Sequence, residues 1–180
     1  MNGRRFSRLF LFLLFTSASL LAQQKNPQPC NRPEQKQFDF WVGDWDLTSP
    51  GSKPGDVVHN SNTIKRILGN CIVQENFVGS DDPQQAPQLL GISVSVFDTI
   101  SGKWKQTWVD NQGSYLDFTG EFKDNQMVLS REAIRPDGTK VMQRMVWKNI
   151  TPSEFDWSWE RSKDKGQTWE VLWPIHYKRK

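Results

Sequence analysis

The feature that most constrains the fold of this chain is an alternation of apolar and polar residues with a period of two. Successive side chains of a strand point to opposite faces, so this period is typical of strands with one buried face. The alternating segments are bounded by turns rich in Pro, Gly, Asn and Asp. They predict ten strands, near Asp44–Thr48, Val57–Leu68, Cys71–Val78, Leu89–Phe97, Lys103–Val109, Ser114–Phe122, Met127–Ala133, Lys140–Lys148, Glu154–Arg161 and Thr168–Lys178.

The short connections between these segments predict an all-β, antiparallel up-and-down sheet. Ten strands in one open sheet would leave long exposed edges, so we expect the sheet to close into a barrel of about ten strands. Ahead of Asp44, the stretch "EQKQFDFWVG" predicts one short helical turn. The chain has no internal repeat of propeller-blade length.

The first residues have the layout of a secretory signal peptide. A basic start is followed by an apolar run, Leu9–Phe15, and then by small residues. The run is shorter than the roughly 20 apolar residues that span a bilayer. We expect cleavage after Ala22, with cleavage after Ala18 as the alternative, and a retained signal anchor is the other interpretation.

The predicted organisation is a signal peptide over residues 1–22, a Pro-rich arm over 23–36 and one β-barrel domain over 37–180. Removal of the leader's three arginines lowers the 23 Lys and Arg residues to 20, which equals the 20 Asp and Glu residues. The mature chain has no basic block apart from the terminal "YKRK", so we do not expect a nucleic-acid-binding protein. We expect a secreted or periplasmic protein without stable membrane insertion; the sequence assigns no oligomeric state.

Two cysteines, Cys30 and Cys71, remain after the leader. In an exported protein such a pair favours a disulfide, which would attach the Pro-rich arm to the barrel. Two unpaired thiols are the alternative, since Cys71 on an apolar strand face could simply fill space.

The segment "SKDKGQTW", Ser162 to Trp169, matches the Asp-box motif of sialidases and other β-propellers. A propeller needs several blades, and this chain has one copy of the motif. We therefore interpret it as a hairpin turn, in which Ser162 and Asp164 bind turn backbone, Gly166 takes a positive φ and Trp169 packs inward. Carbohydrate hydrolysis is not expected.

Four of the nine tryptophans lie in rows of residues that share one strand face, which indicates core-facing positions. Trp157 and Trp159 share a face with Phe155, and Trp104 shares one with Trp108. These rows are compatible with an aromatic-lined ligand cavity or with a tightly filled core.

Polar residues on apolar strand faces are the best site candidates, because burying them without partners costs several kcal/mol. The candidate ligand-binding residues are Glu75, Gln106, Trp108, Arg144 and Tyr177, and Glu75 is also a weak catalytic candidate. Convergence of Arg144 and Tyr177 would favour a carboxylate ligand. Alternatively, Glu75 and Arg144 form an ion pair that only holds the register of the strands.

We expect no metal site and no cofactor. The two histidines, His59 and His176, lie far apart, and no cluster has metal-ligand spacing. His176 is placed like the haem ligand of some barrels, but its alternation with Tyr177 predicts an outward side chain. Neither a nucleophile elbow nor a catalytic triad is evident.

The stretches "FDFWVGDWDL", "GNCIVQE", "GISVSVFD", "GKWKQTWVDNQG" and "SKDKGQTW…HYKR" carry a resemblance to a known group. From Phe38 to Arg179 the chain is similar to a bacterial domain-of-unknown-function family of the calycin superfamily, which includes lipocalins and fatty-acid-binding proteins. The resemblance implies that Trp45 lies under Arg179 as a structural contact, worth about 0.5–2 kcal/mol. It brings no activity to transfer.

Three hypotheses about function follow. A binding barrel would hold a small apolar or anionic molecule in a cavity of at least about 300 Å³. An isomerase- or cyclase-like enzyme would use Glu75 as a general acid or base with a pKa raised by burial. A structural or interaction barrel would have a solid core and no ligand.

Overall fold

The computed structural model describes residues 30–81 and 87–180, and within them the chain forms a closed ten-stranded antiparallel barrel. The expected signal peptide and residues 23–29 of the arm lie outside the described residues. Two 3-10 helices, Pro33–Lys36 and Asp39–Trp41, precede the barrel. The strands are β1 (Gly43–Pro50), β2 (Val57–Ile67), β3 (Ile72–Val78), β4 (Leu90–Asp98), β5 (Lys103–Asp110), β6 (Tyr115–Lys123), β7 (Gln126–Ile134), β8 (Lys140–Lys148), β9 (Glu154–Ser162) and β10 (Glu170–Arg179).

The barrel has an up-and-down topology, in which every strand pairs with its sequence neighbours and β1 pairs with β10. This confirms the fold class expected from the alternation and from the short turns. The helical stretch ahead of β1 is confirmed too, and it divides into two short helices. No helix within residues 30–81 and 87–180 has the length and apolarity needed to span a membrane.

The seam between β1 and β10 is held by the Arg179 side chain. Trp45 and Arg179 are register partners, and the guanidinium carbon lies 4.2 Å from the centre of the Trp45 ring. The guanidinium also donates to the backbone carbonyls of Phe40 and Val42, at 3.2 and 2.9 Å. Gly43 has φ +143°, and a Cβ there would lie 2.2 Å from Arg179 Nη1. A glycine at this position therefore leaves room for the arginine.

Aromatic side chains from the two 3-10 helices close one end of the barrel, where β1 begins and β10 ends. Phe38 meets Trp104 and Trp147 edge to face, with centroids 4.7 and 5.3 Å away. Trp41 also packs on Trp147, and Trp45 Nε1 donates to the Trp41 carbonyl at 2.8 Å. The segment ahead of β1 thus fills the closed half of the barrel.

A disulfide joins Cys30 to Cys71, in the turn between β2 and β3, as the cysteine pair predicted. Arg66 reinforces the same attachment, since its Nη2 donates to the Gln35 carbonyl at 2.7 Å and lies 2.5 Å from Asp39 Oδ1. The first 3-10 helix is therefore fastened to the closed end.

The β4 strand departs from the usual apolar-inward alternation. Three of its inward residues, Gly91, Ser93 and Ser95, are small and buried. Its outward residues Leu90, Ile92 and Val94 are 43–45% exposed. Small side chains on the inner face of β4 leave interior volume next to β3 and β5.

Candidate functional site

The open half of the barrel, at the end where β1 ends and β2 begins, contains a cavity of about 240 Å³. Gln112, which is exposed in the β5–β6 turn, lies at its mouth, and Trp147 separates it from the closed half. The volume is below the cavity of at least about 300 Å³ that the binding hypothesis predicted, because indole rings occupy much of the interior. The barrel is thus neither solid nor wide.

The cavity wall is mainly aromatic. Phe77 meets Trp108 and Trp173 with centroids 6.1 and 5.9 Å apart, and Trp173 meets Trp157 at 5.7 Å. All three contacts are edge to face, an arrangement that aromatic quadrupoles favour. Because each ring fixes its neighbour, the wall is preformed.

The position of Trp108 depends on Gly91. A Cβ on Gly91 would lie 2.1 Å from Trp108 Cζ2, so the indole occupies the space that a side chain on β4 would fill. Its Nε1 donates to Asp110 Oδ2 at 2.9 Å. Partial burial works to raise the pKa of Asp110, but hydrogen bonds from Trp108, Ser114 and Gln112 outweigh it and hold the pKa below its ordinary value. A negative charge therefore lies near the cavity mouth at neutral pH.

Glu75, on the inner face of β3, is the buried acid of the cavity. Asn62 Nδ2 donates to its Oε1 at 2.7 Å, and Ser93 Oγ donates to its Oε2 at 2.6 Å. Burial raises the pKa of Glu75 to about 7, against the lowering effect of these two hydrogen bonds. The side chain can therefore hold or release a proton near neutral pH.

Hydrogen bonds connect Glu75 to two further polar side chains, Tyr177 through Asn62 and Gln106 through Ser93. Asn62 Nδ2 also donates to the Tyr177 hydroxyl at 3.1 Å, and burial together with the Glu75 charge holds the pKa of Tyr177 well above its ordinary value. Gln106 Nε2 donates to Ser93 Oγ at 3.3 Å and to Ser95 Oγ at 2.9 Å. Ser93 thus connects Gln106 to Glu75.

Of the five candidate ligand-binding residues, the structure places Glu75, Trp108 and Tyr177 in the cavity wall. Gln106 is buried at 3% exposure and contacts Glu75 only through Ser93. Arg144 lies elsewhere, on the outer face of β8, because its neighbours Met145 and Trp147 take the inward positions. The five residues therefore do not converge.

The two pairings expected for Arg144 are wrong. Arg144 forms an ion pair with Glu160 on β9, at 2.6 Å, and its guanidinium lies 3.9 Å from the Trp169 ring centre. It pairs neither with Glu75 nor with Tyr177. A carboxylate ligand loses its expected cationic partner, since no Lys, Arg or His is among the described residues that line the cavity.

The Asp-box forms the β9–β10 turn, as interpreted from the sequence, with one difference. Asp164 Oδ1 accepts from Ser162 Oγ and from the Thr168 backbone N–H, at 2.6 and 2.9 Å. Gly166 takes φ +90°. Trp169 does not pack inward: it covers Arg144 on the outer face. The turn is structural and lies outside the cavity.

Sequence reasoning missed Asn62 and Ser93. Asn62 alternates with the inward Ile64, and this was the available signal for it. Ser93 alternates with isoleucine and valine, which suggests the opposite face, so no signal in the sequence identified it. Trp173 lines the cavity together with Ile175 and Tyr177, as the period of two along the last strand predicts.

In the described part of the chain, no group of three or more His, Cys, Asp or Glu residues is arranged to hold a metal ion. His176 is about half exposed and points outward, with Nδ1 2.9 Å from Asp156 Oδ1. Comparisons with protein-family models and with curated protein sequences found no match for this chain.

Proposed function

We propose that this protein is an exported binding barrel of the calycin type that holds a small, mainly apolar molecule in the open half of the barrel. The observation that carries the proposal is the preformed aromatic cavity with two buried polar groups in its wall, Glu75 and Tyr177, which Asn62 joins by hydrogen bonds. Ligand sites combine an apolar wall with a few fixed polar groups in this way. The volume suits a molecule smaller than a typical drug.

Export and calycin membership are supported by separate features. The disulfide between Cys30 and Cys71 is typical of proteins that fold in an oxidising compartment. The up-and-down closure with Trp45 under Arg179 agrees with what the calycin resemblance implies. We therefore include export and calycin membership in the proposal.

Binding is tested by blocking the cavity. Leu116 lines it, whereas Leu90 lies on the outer face of β4. We expect Leu116→Trp to lose saturable binding of 2-phenylethanol, measured by tryptophan fluorescence and by NMR, and the matched outer variant Leu90→Trp to keep it.

Native mass spectrometry of protein purified from a bacterial periplasm should show a bound small molecule in wild type and not in Leu116→Trp. Equal behaviour of the two variants, or an empty wild type that binds no probe, would overturn the proposal.

A second candidate function is favoured by the pKa of Glu75, which burial raises to about 7. A carboxyl of this pKa in a cavity suits general acid–base catalysis, as in an isomerase or cyclase. If Glu75 moves a proton on carbon, the co-purified molecule should take up deuterium when incubated with the protein in D₂O. Uptake that persists in Glu75→Gln, or that is absent in wild type, rules this function out.

A further inference from the structure

The charged groups of the cavity are all acidic. Among its described lining residues, Glu75 and Asp110 are acids and none is basic. None of the ion pairs of the described residues includes Glu75, whose hydrogen-bond donors, Asn62 and Ser93, are both neutral. A buried carboxylate without a counter-charge is costly, so a cationic ligand would stabilise this site where an anion would destabilise it.

The carboxyl of Glu75 has room for another donor. A carboxylate offers about four lone-pair sites on its two oxygens, and here each oxygen accepts one hydrogen bond from the protein. Glu75 lies in the cavity wall, so a remaining site can face the cavity. A ligand N–H could therefore bind the carboxylate directly.

The walls next to this acid suit a cation as well. Trp108, Trp157, Trp159 and Trp173 line the cavity together with Phe77 and Phe118. The face of an indole attracts a cation, by about 2 kcal/mol when the site is desolvated. The negative charge of Asp110 near the mouth adds an attraction for cations that approach from solvent.

We propose that the ligand of this cavity is a small organic ammonium ion with an apolar body, whose N–H groups bind the Glu75 carboxylate between the tryptophan rings. The inference rests on the proposed binding function and names the ligand class for the same site. The apolar body fills the aromatic part of the cavity. The ammonium group supplies the positive charge that the lining residues lack.

Three probes that share a phenyl ring test the charge preference: 2-phenylethylammonium, 2-phenylethanol and phenylacetate. At pH 8 we expect wild type to bind the ammonium at least tenfold more tightly than the alcohol, and phenylacetate most weakly. Glu75→Gln should lose this preference, so that the ammonium and the alcohol bind with similar affinity. Glu132→Gln, at an exposed glutamate of β7, is the matched control and should behave like wild type.

A second measurement needs only wild type. Glu75 must be ionised to bind the ammonium, and its pKa is about 7, so binding near pH 7 should release protons from Glu75. Tyr177 and Asp110 are the other titratable groups that face the cavity. Calorimetry in two buffers with different ionisation enthalpies measures that release. The tenfold preference should also fall as the pH is lowered to 5.

The outcomes separate this inference from the binding function. Equal affinity for alcohol and ammonium, tighter binding of phenylacetate, or binding of the ammonium without proton release would overturn the ammonium assignment and leave a binding barrel. Absence of saturable binding for all three probes would overturn both.

Discussion

At the scale of single residues, Glu75 is the most informative side chain. Its carboxyl sits at 7% exposure, with two neutral hydrogen-bond donors and no basic partner in the described residues. Burial disfavours the charged form of this carboxyl in the native protein. Its effect on stability therefore depends on pH.

Glu75→Gln should change the pH dependence of stability in a defined direction. Because folding raises the pKa of Glu75 from 4.5 to about 7, the native state binds its proton more tightly than the unfolded state does. The contribution of Glu75 to stability is then fully present below pH 4.5, falls as the pH rises through 7, and is lost above it. We expect the variant and wild type to be similar at pH 4, and the variant to be more stable by about 3 kcal/mol at pH 8.

Urea denaturation of both proteins at the two pH values measures this difference, in which the other titrating groups cancel. A difference in unfolding free energy that does not change with pH would mean that Glu75 titrates normally in the folded protein.

Gly91→Ala should disturb the cavity through Trp108. The added Cβ would overlap the indole, so the ring must move, at a cost of about 1–3 kcal/mol in unfolding free energy. We expect weaker probe binding and an altered fluorescence spectrum. The second substitution Trp108→Phe removes the overlapping part of the ring, so the double variant should be more stable than the two single effects predict. Additive effects would contradict the described contact.

At the scale of elements, the closed end depends on the attachment of the first 3-10 helix. The Cys30–Cys71 disulfide spans 41 residues, and the chain-entropy treatment of such a loop gives about 4 kcal/mol. We expect the Cys30→Ser/Cys71→Ser variant to lose stability by up to that amount in thermal unfolding and to keep its affinity for the cavity probes. Loss of binding with unchanged stability would show that the cavity, rather than the closed end, depends on the disulfide.

The elements also show where sequence reasoning succeeds. All ten strands were expected within about two residues of their observed ends, because turn chemistry and alternation are local properties. The faces were harder to assign. On β4 the serines point inward and the isoleucine and valine outward, and on β8 Arg144 points outward among apolar neighbours. Which face is inner is decided by strand register across the whole barrel, and a single strand does not contain that information.

At the scale of the whole molecule, barrel closure depends on the seam between β1 and β10. Arg179 stacks on Trp45 and donates to three backbone carbonyls, those of Phe40, Val42 and Pro152. The sequence resemblance anticipated the stacking contact but not these carbonyls, which belong to segments far apart along the chain. Arg179 thus connects the first strand, the last strand and the closing segment.

Arg179→Ala should therefore lower the unfolding free energy by about 2–4 kcal/mol, through lost charge-assisted hydrogen bonds and the lost ring contact. Lys178→Ala, one residue away on the outward face, is the matched control and should change stability little. Chemical denaturation compares the two. Equal losses would mean that the seam does not depend on the arginine.

The central claim is that a buried carboxyl anchors a ligand inside this barrel, and the titration of Glu75 in ¹³C-labelled protein tests it most directly. The Glu75 carboxyl resonance should titrate near pH 7 in the free protein, and at lower pH when 2-phenylethylammonium saturates the cavity. A midpoint near the ordinary value of 4.5, unchanged by the ammonium ion, would contradict the account.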